Sequence, residues 1–144
     1  MENLLIVGNK MVKARKFDLS KDYGILFDWW SAHNSFPPKP EHLSTTGIVV
    51  EVEDKPVCAG FLYKTDSKIC VFEFVVSDPK ASKEDRCNAL NNLIKTIQDI
   101  AAKQGYSLIY TSVNIEAYVS KLKNAGFFEA DRNQTHLFFE VSNE

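Results

Sequence analysis

The string Ile69-Cys70-Val71-Phe72-Glu73-Phe74-Val75-Val76 constrains the fold more than any other part of the chain. Successive side chains of a β-strand point to opposite faces, so a strand that is apolar at nearly every position is buried on both. It predicts a central strand covered by a layer on each side. A membrane span needs about 18 consecutive apolar residues, and this run is short and interrupted by Glu73.

The flanking sequence supplies the layers. Residues 46–53 are rich in β-branched side chains, Glu53-Asp54-Lys55-Pro56 is turn chemistry, and 57–64 resume an extended pattern. Thr65-Asp66-Ser67-Lys68 is a second turn that leads into the central strand, so three strands in sequence predict an antiparallel meander. Upstream, 12–17 alternate apolar and basic residues as a half-buried strand does. Asp18 and Ser20 then offer N-caps to a helix over 21–32, where Tyr23, Leu26, Phe27 and Trp30 recur at helical spacing. Phe36-Pro37-Pro38-Lys39-Pro40 cannot continue that helix, because proline lacks the amide donor, and Glu41-His42-Leu43 reads as a single turn.

Downstream, Ser82 and Asp85 have capping-box spacing ahead of a second helix, with Leu90, Leu93, Ile94, Ile97 and Ala101 on one face and Gly105 as its stop. A strand at 107–111, a short helix at 115–124 capped by Gly126, a strand starting at Phe127-Phe128 and a last strand at 137–141 complete the pattern. The order predicts an α+β fold with a mixed central sheet of about six to seven strands flanked by about four helices. It is read as one domain over 1–144, with 1–10 an N-terminal extension of undefined state.

Composition narrows the function classes. The 144 residues carry 17 Lys and Arg against 19 Asp and Glu, a formal net charge of −2. That balance argues against a non-specific nucleic-acid binder, which needs a basic field to release counterions. Lys10, Lys13, Arg15 and Lys16 form a local basic cluster, read as a solvated strand edge that discourages edge pairing. Cys58, Cys70 and Cys87 are odd in number and far apart, so they are expected to be reduced packing residues. His33, His42 and His136 lack metal-ligand spacing, so no metal is expected. Met1-Glu2-Asn3 ahead of Leu4-Leu5-Ile6-Val7 lacks the basic region of a signal peptide, and the expected location is cytoplasmic.

Three places stand out for chemistry. Glu73 is the lone acid in the central strand. An ionised carboxylate there is costly unless paired, and a raised pKa suits a general base working near neutral pH. The alternative is a glutamate at the strand's open end that reaches a lysine or water. The junction from Asp78 to Ser82 opens a helix whose free amides and dipole would favour an anion, with Lys80, Lys83 and Arg86 around it. A plain capped helix is the alternative. Trp29, Trp30, His33 and Phe36 form an aromatic segment; adjacent helical residues point about 100° apart, so either one tryptophan faces a groove or both pack on core and loop.

Together these elements and several strings resemble the Gcn5-related N-acetyltransferase (GNAT) superfamily, most closely the small acetyltransferase-like proteins of tailed bacteriophages. The strings are Asp22-Tyr23 through Trp29-Trp30, Lys55-Pro56 through Gly60-Phe61-Leu62-Tyr63, Thr65-Asp66-Ser67-Lys68, Val75-Val76-Ser77-Asp78-Pro79 and Leu122-Lys123-Asn124-Ala125-Gly126-Phe127.

The resemblance implies acetyl transfer from acetyl-CoA, with no metal, to a primary amine on a small molecule, a modified nucleobase or a protein, in the host cytoplasm if the chain is phage-encoded. It implies that the strands at 69–76 and 107–113 splay apart. Phe74, Val75 and Val76 would then meet the pantetheine arm together with Asn114, and Lys80, Ala81, Ser82, Lys83 and Arg86 would meet the pyrophosphate. Glu73 would be the base, and Trp29, Trp30, His33 and Phe36 the acceptor wall. The family's loop glycines are absent from Ser82-Lys83-Glu84-Asp85-Arg86-Cys87, and Leu122 stands where a tyrosine acid is usual, with Tyr118 or Tyr110 as substitutes. The alternative is a catalytically degenerate GNAT-fold protein that docks a partner through residues 29–40. Whether the chain forms a homodimer is left open.

Overall fold

The computed structural model describes residues 3–142. Its strands are β1 (Asn3–Val7), β2 (Lys10–Lys16), β3 (Gly47–Val52), β4 (Lys55–Tyr63), β5 (Ile69–Ser77) and β6 (Leu108–Tyr110), hydrogen bonded in that order. Three α-helices, α1 (Leu19–Ala32), α2 (Lys83–Lys103) and α3 (Glu116–Asn124), and a 3₁₀ turn at Pro40–His42 accompany them among the described residues. This is the mixed α+β architecture expected, with one helix fewer. Neighbouring strands are antiparallel except for β5 and β6, which are parallel. A parallel pair needs a long crossover, and α2 occupies it.

The sheet is covered on both faces, and strand alternation sorts the core between them. Ile48, Val50, Cys58, Leu62, Cys70 and Phe72 pack with Ala89, Leu93, Ile97 and Ala101 of α2. Val49, Ala59 and Phe61, one residue out of phase, pack with Leu26, Trp29 and Trp30 of α1. The buried stripe of α1 is Asp22, Leu26, Trp29 and Trp30, whereas Phe27, expected inward, is exposed.

A bulge interrupts this alternation in β5. Ala59 pairs with Val76 and Phe61 with Glu73, so Phe74 and Val75 together face Gly60. The extra residue reverses the pleat: Phe72 points to α2, but Val76 joins the α1 cluster. Phe74 takes a φ of +57°, which is uncommon for a bulky residue. Gly60 is required opposite, because a Cβ there would lie 2.7 Å from the Phe72 ring.

The N-terminal stretch is a strand, not an undefined extension, although residues 1–2 of it lie outside the described residues. Asn3 stitches it to α2, donating through Nδ2 to Asn92 Oδ1 and Thr96 Oγ1, both at 3.1 Å. Because β1 covers β2, the basic cluster does not lie along a free edge. Lys10 pairs with Asp85 at 2.9 Å. Arg15 is half-buried: its Nη1 and Nη2 donate to both oxygens of Asp22 at 2.8 Å, and its Nε to Glu51 Oε2 at 2.8 Å. The one guanidinium ties α1, β2 and β3 together. Burial alone would raise the Asp22 carboxyl, but the bonds from Arg15 and the Asp18 amide hold it below the usual range.

The strands expected at 127–128 and 137–141 are absent. β6 is only three residues long, which leaves little edge for a further ladder. Phe128, Leu137, Phe138, Phe139 and Val141 are exposed.

Arg15→Ala leaves two buried carboxylates without their cation, and breaking such a set by removing one partner costs about 3–5 kcal/mol. Urea unfolding should register that loss. Asp22, with a depressed native pKa, contributes stability that is complete above the unfolded value of about 3.9 and lost as pH falls through the native one. Asp22→Asn should abolish this acid-side slope.

Candidate functional site

The site begins where β5 and β6 part. Their ladder runs through the pairs Ile69–Leu108, Cys70–Ile109 and Val71–Tyr110 and then stops. Side chains take over beyond it: Thr111 Oγ1 donates to Phe72 O at 2.6 Å. Glu73 Oε2 accepts from the Ser112 amide at 2.9 Å and from Ser112 Oγ at 3.0 Å. Glu73 is thus the inward acid of the string, placed at the mouth of the opening just before the bulge. Burial raises its carboxyl above the ordinary value, partly offset by the Ser112 hydroxyl and amide and by His136. Among the described residues its Oε1 accepts no hydrogen bond and remains available to a proton or a ligand.

Beside this opening lies a cleft of about 990 Å³ walled by β6, α3 and the segment after it, with Ser112, Asn114, Leu122 and His136 in its lining. Ser112 belongs to both places, through Glu73 on one side and the cleft on the other. Sequence reasoning missed Ser112 and His136, since only the fold brings them to Glu73.

Tyr118 projects from α3 into a small cluster with Ile94 and Leu122, against Val75 of the bulge. It is 8% exposed, and its Oη is the buried side-chain atom without a hydrogen-bond partner among the described residues. Burial pushes this hydroxyl well up, and the charges of Cys58 and Glu73 add to the effect. Buried hydroxyls are nearly always paired, so a polar group of a bound molecule would satisfy an unmet demand here.

The junction before α2 is largely self-satisfied. Ser82 caps the helix by accepting from the Asp85 amide at 3.1 Å, but Asp85 does not return the bond and pairs with Lys10 instead. Asp78 Oδ1 takes the Lys80 amide at 2.8 Å. Arg86 Nη1 donates to Ala81 O at 2.8 Å and Pro79 O at 3.3 Å, which braces the loop from within. Lys80 and Lys83 are exposed.

The aromatic segment is divided. Both tryptophans are buried, at 7% and 2% exposure, so neither presents an open indole to a groove. His33 is exposed, and its Nε2 lies 2.9 Å from Ser77 O, tying the end of α1 to the end of β5. Phe36 is exposed and stacks on Phe138, with ring centroids 4.7 Å apart. No group of three or more His, Cys, Asp or Glu side chains suited to a metal occurs among the described residues. No helix among them is long and apolar enough to cross a membrane.

The strand order, the bulge in β5, the parting of β5 and β6 and the helical crossover make up the GNAT-like fold expected from sequence. No protein-family model matches the sequence, and no curated protein matches it. Solved structures do. The ribosomal-protein-S18-alanine N-acetyltransferase of Escherichia coli aligns with a TM-score of 0.65 at 14% identity, over 84% of this chain and 80% of that one. Glucosamine-6-phosphate N-acetyltransferase of Arabidopsis thaliana gives 0.60 at 14%, over 90% and 99%. A transcriptional regulator of Bacillus halodurans gives 0.63 at 12%, over 88% and 99%. At such identities the likeness shows the fold.

Burial raises the Glu73 carboxyl in the folded chain above its unfolded value. The stability this contributes is complete below the unfolded value of about 4.3 and is lost as pH rises through the native one. Glu73→Gln should therefore gain stability relative to wild type as the pH of urea unfolding is raised from acid to neutral. A relative gain by wild type would contradict the burial argument.

Proposed function

We propose that the chain is an N-acetyltransferase that moves the acetyl group of acetyl-CoA to a primary amine. The observation that supports this most is the half-buried Glu73, with its raised pKa and open Oε1, at the point where β5 and β6 separate. A carboxylate of that kind suits removal of a proton from an attacking amine. Acetyl-CoA, when bound, supplies an activated thioester. The chain's own groups do the rest. Ser112 holds Glu73 in place, and the amides of Phe74, Val75 and Val76 would carry the pantetheine arm, with Asn114 at its side. Lys80, Ala81, Ser82, Lys83 and Arg86 would face the phosphates. Tyr118 Oη, a buried hydroxyl with no partner among the described residues, would give a proton to the departing thiolate. His33 and Phe36, the exposed members of the aromatic segment, would meet the acceptor, and Trp29 and Trp30 would hold that wall from behind.

A second reading, a binding protein that keeps the fold without turnover, is favoured by the loop before α2. Its Lys80 and Asp85 amides are already taken by Asp78 and Ser82, and no glycine lets backbone approach a phosphate closely. Phe36, exposed on the segment 29–40, would then serve a partner.

Thermal unfolding in a titration with acetyl-CoA separates the two. Saturation at a hundred times Kd stabilises by about 2.7 kcal/mol, which moves Tm by several degrees in a domain of this size. Glu73→Gln should keep that shift while losing turnover by about 10²-fold or more, as loss of a general base does. An unmoved Tm at millimolar acetyl-CoA rejects the enzyme.

A further inference from the structure

Lys121 of α3 and Cys87 of α2 meet with 2.6 Å between Nζ and Sγ. An ordinary N–H···O bond spans about 2.9–3.0 Å, and sulfur, the larger acceptor, holds its donors farther away. A direct bond is excluded in the other direction, since even two sulfur atoms bond at about 2.03–2.05 Å. Two single bonds through one intervening oxygen produce a separation of this size.

The surroundings select this pair among the cysteines and lysines. Cys58 and Cys70 are buried, whereas Cys87 and Lys121 are both half-buried, within reach of a small oxidant. Lys121 has no carboxylate partner among the described residues, although Lys123 on the same helix pairs with Glu129 at 2.9 Å. The two residues are 34 apart in sequence, so tertiary packing alone brings them together.

We propose that Cys87 and Lys121 form an oxidation site at which the side chains are joined through a single oxygen atom, a sulfur–oxygen–nitrogen bridge between α2 and α3. Dioxygen is the oxidant. Lys121 first gives its ammonium proton to water and reacts as the free amine, because an ammonium has no lone pair. The Sγ–H bond and one Nζ–H bond break, and the S–O and N–O bonds form. One oxygen atom becomes the bridge, and the other leaves as water with the two hydrogens. Sulfur and nitrogen together give up the four electrons that dioxygen takes. Two equivalents of a dithiol return them and regenerate thiol, amine and water. The bridge is independent of the acetyl-transfer reading, but it fixes α3, with Tyr118 one turn before Lys121, against the first turns of α2.

Intact-mass spectrometry of the full chain in air-saturated buffer tests it. The bridge adds one oxygen and removes two hydrogens, a gain of about 14 Da, whereas sulfenic and sulfinic acids add about 16 and 32 Da. Dithiothreitol should remove the gain, which separates it from methylation of the same nominal mass. Proteolysis should yield one linked peptide pair containing Cys87 and Lys121. Cys87→Ser and Lys121→Arg should each abolish the gain, and oxidised wild type should melt several degrees above its reduced form, as a cross-link that restricts the unfolded chain does. An unchanged mass, or oxygen added to Cys87 alone with Lys121 unmodified, would overturn the proposal; both readouts hold for wild type even if a variant folds poorly.

Discussion

The bulge in β5 is the constraint on which the site depends. One extra residue opposite Gly60 turns Val76 away from α2 and toward α1, and it holds Phe74 at a positive φ that packing must sustain. Glu73 is the last residue paired before this reversal. The strand therefore delivers its acid at the place where its own geometry changes. The parallel neighbour β6 has already left the ladder after Tyr110. Gly60 is the sequence's part of the arrangement, since any side chain there would press into Phe72.

Two polar devices keep the scaffold around that site in register. The Arg15 guanidinium, shared by Asp22 and Glu51, fixes α1 on β2 and β3. It thereby sets where α1 ends, and His33 completes the attachment at Ser77. On the other face, Asn3, Asn92 and Thr96 tie β1 to α2. The loop leading into α2 is equally internal in its bonding: Asp78, Ser82 and Arg86 serve its own backbone. That economy is the physical counterpart of its missing glycines, and it is why the chemistry of Glu73 carries the functional reading more firmly than the loop does.

Periodicity made the meander, the central strand and the face of α2 legible from sequence, because burial of a stripe is a local pattern. Glu73 was legible for the same reason, as an acid breaking an apolar run. The bulge was not, because it exists only in the pairing of Phe74 and Val75 against Gly60. Glu51 offered a similar signal within Ile48-Val49-Val50-Glu51-Val52, but its partner Arg15 lies across the sheet in a strand whose basic residues read as solvated. The apolar run at 137–141 was a strand pattern with little edge to pair with, and Trp29 and Trp30 both found core, because with Asp22 and Leu26 they fall within a single stripe of α1 about 100° wide. Tyr118 could be named from its place one turn before Leu122. Its lack of a partner is a fact of packing that no spacing encodes.

Amide chemical-shift mapping during an acetyl-CoA titration tests most directly that the parting of β5 and β6 is the ligand site. The predicted result is that the largest shifts fall on Phe74, Val75, Val76 and the residues from Ser112 to Asn114, with smaller ones at Lys80 to Arg86. Shifts confined to other surfaces, or none at saturating ligand, would contradict it.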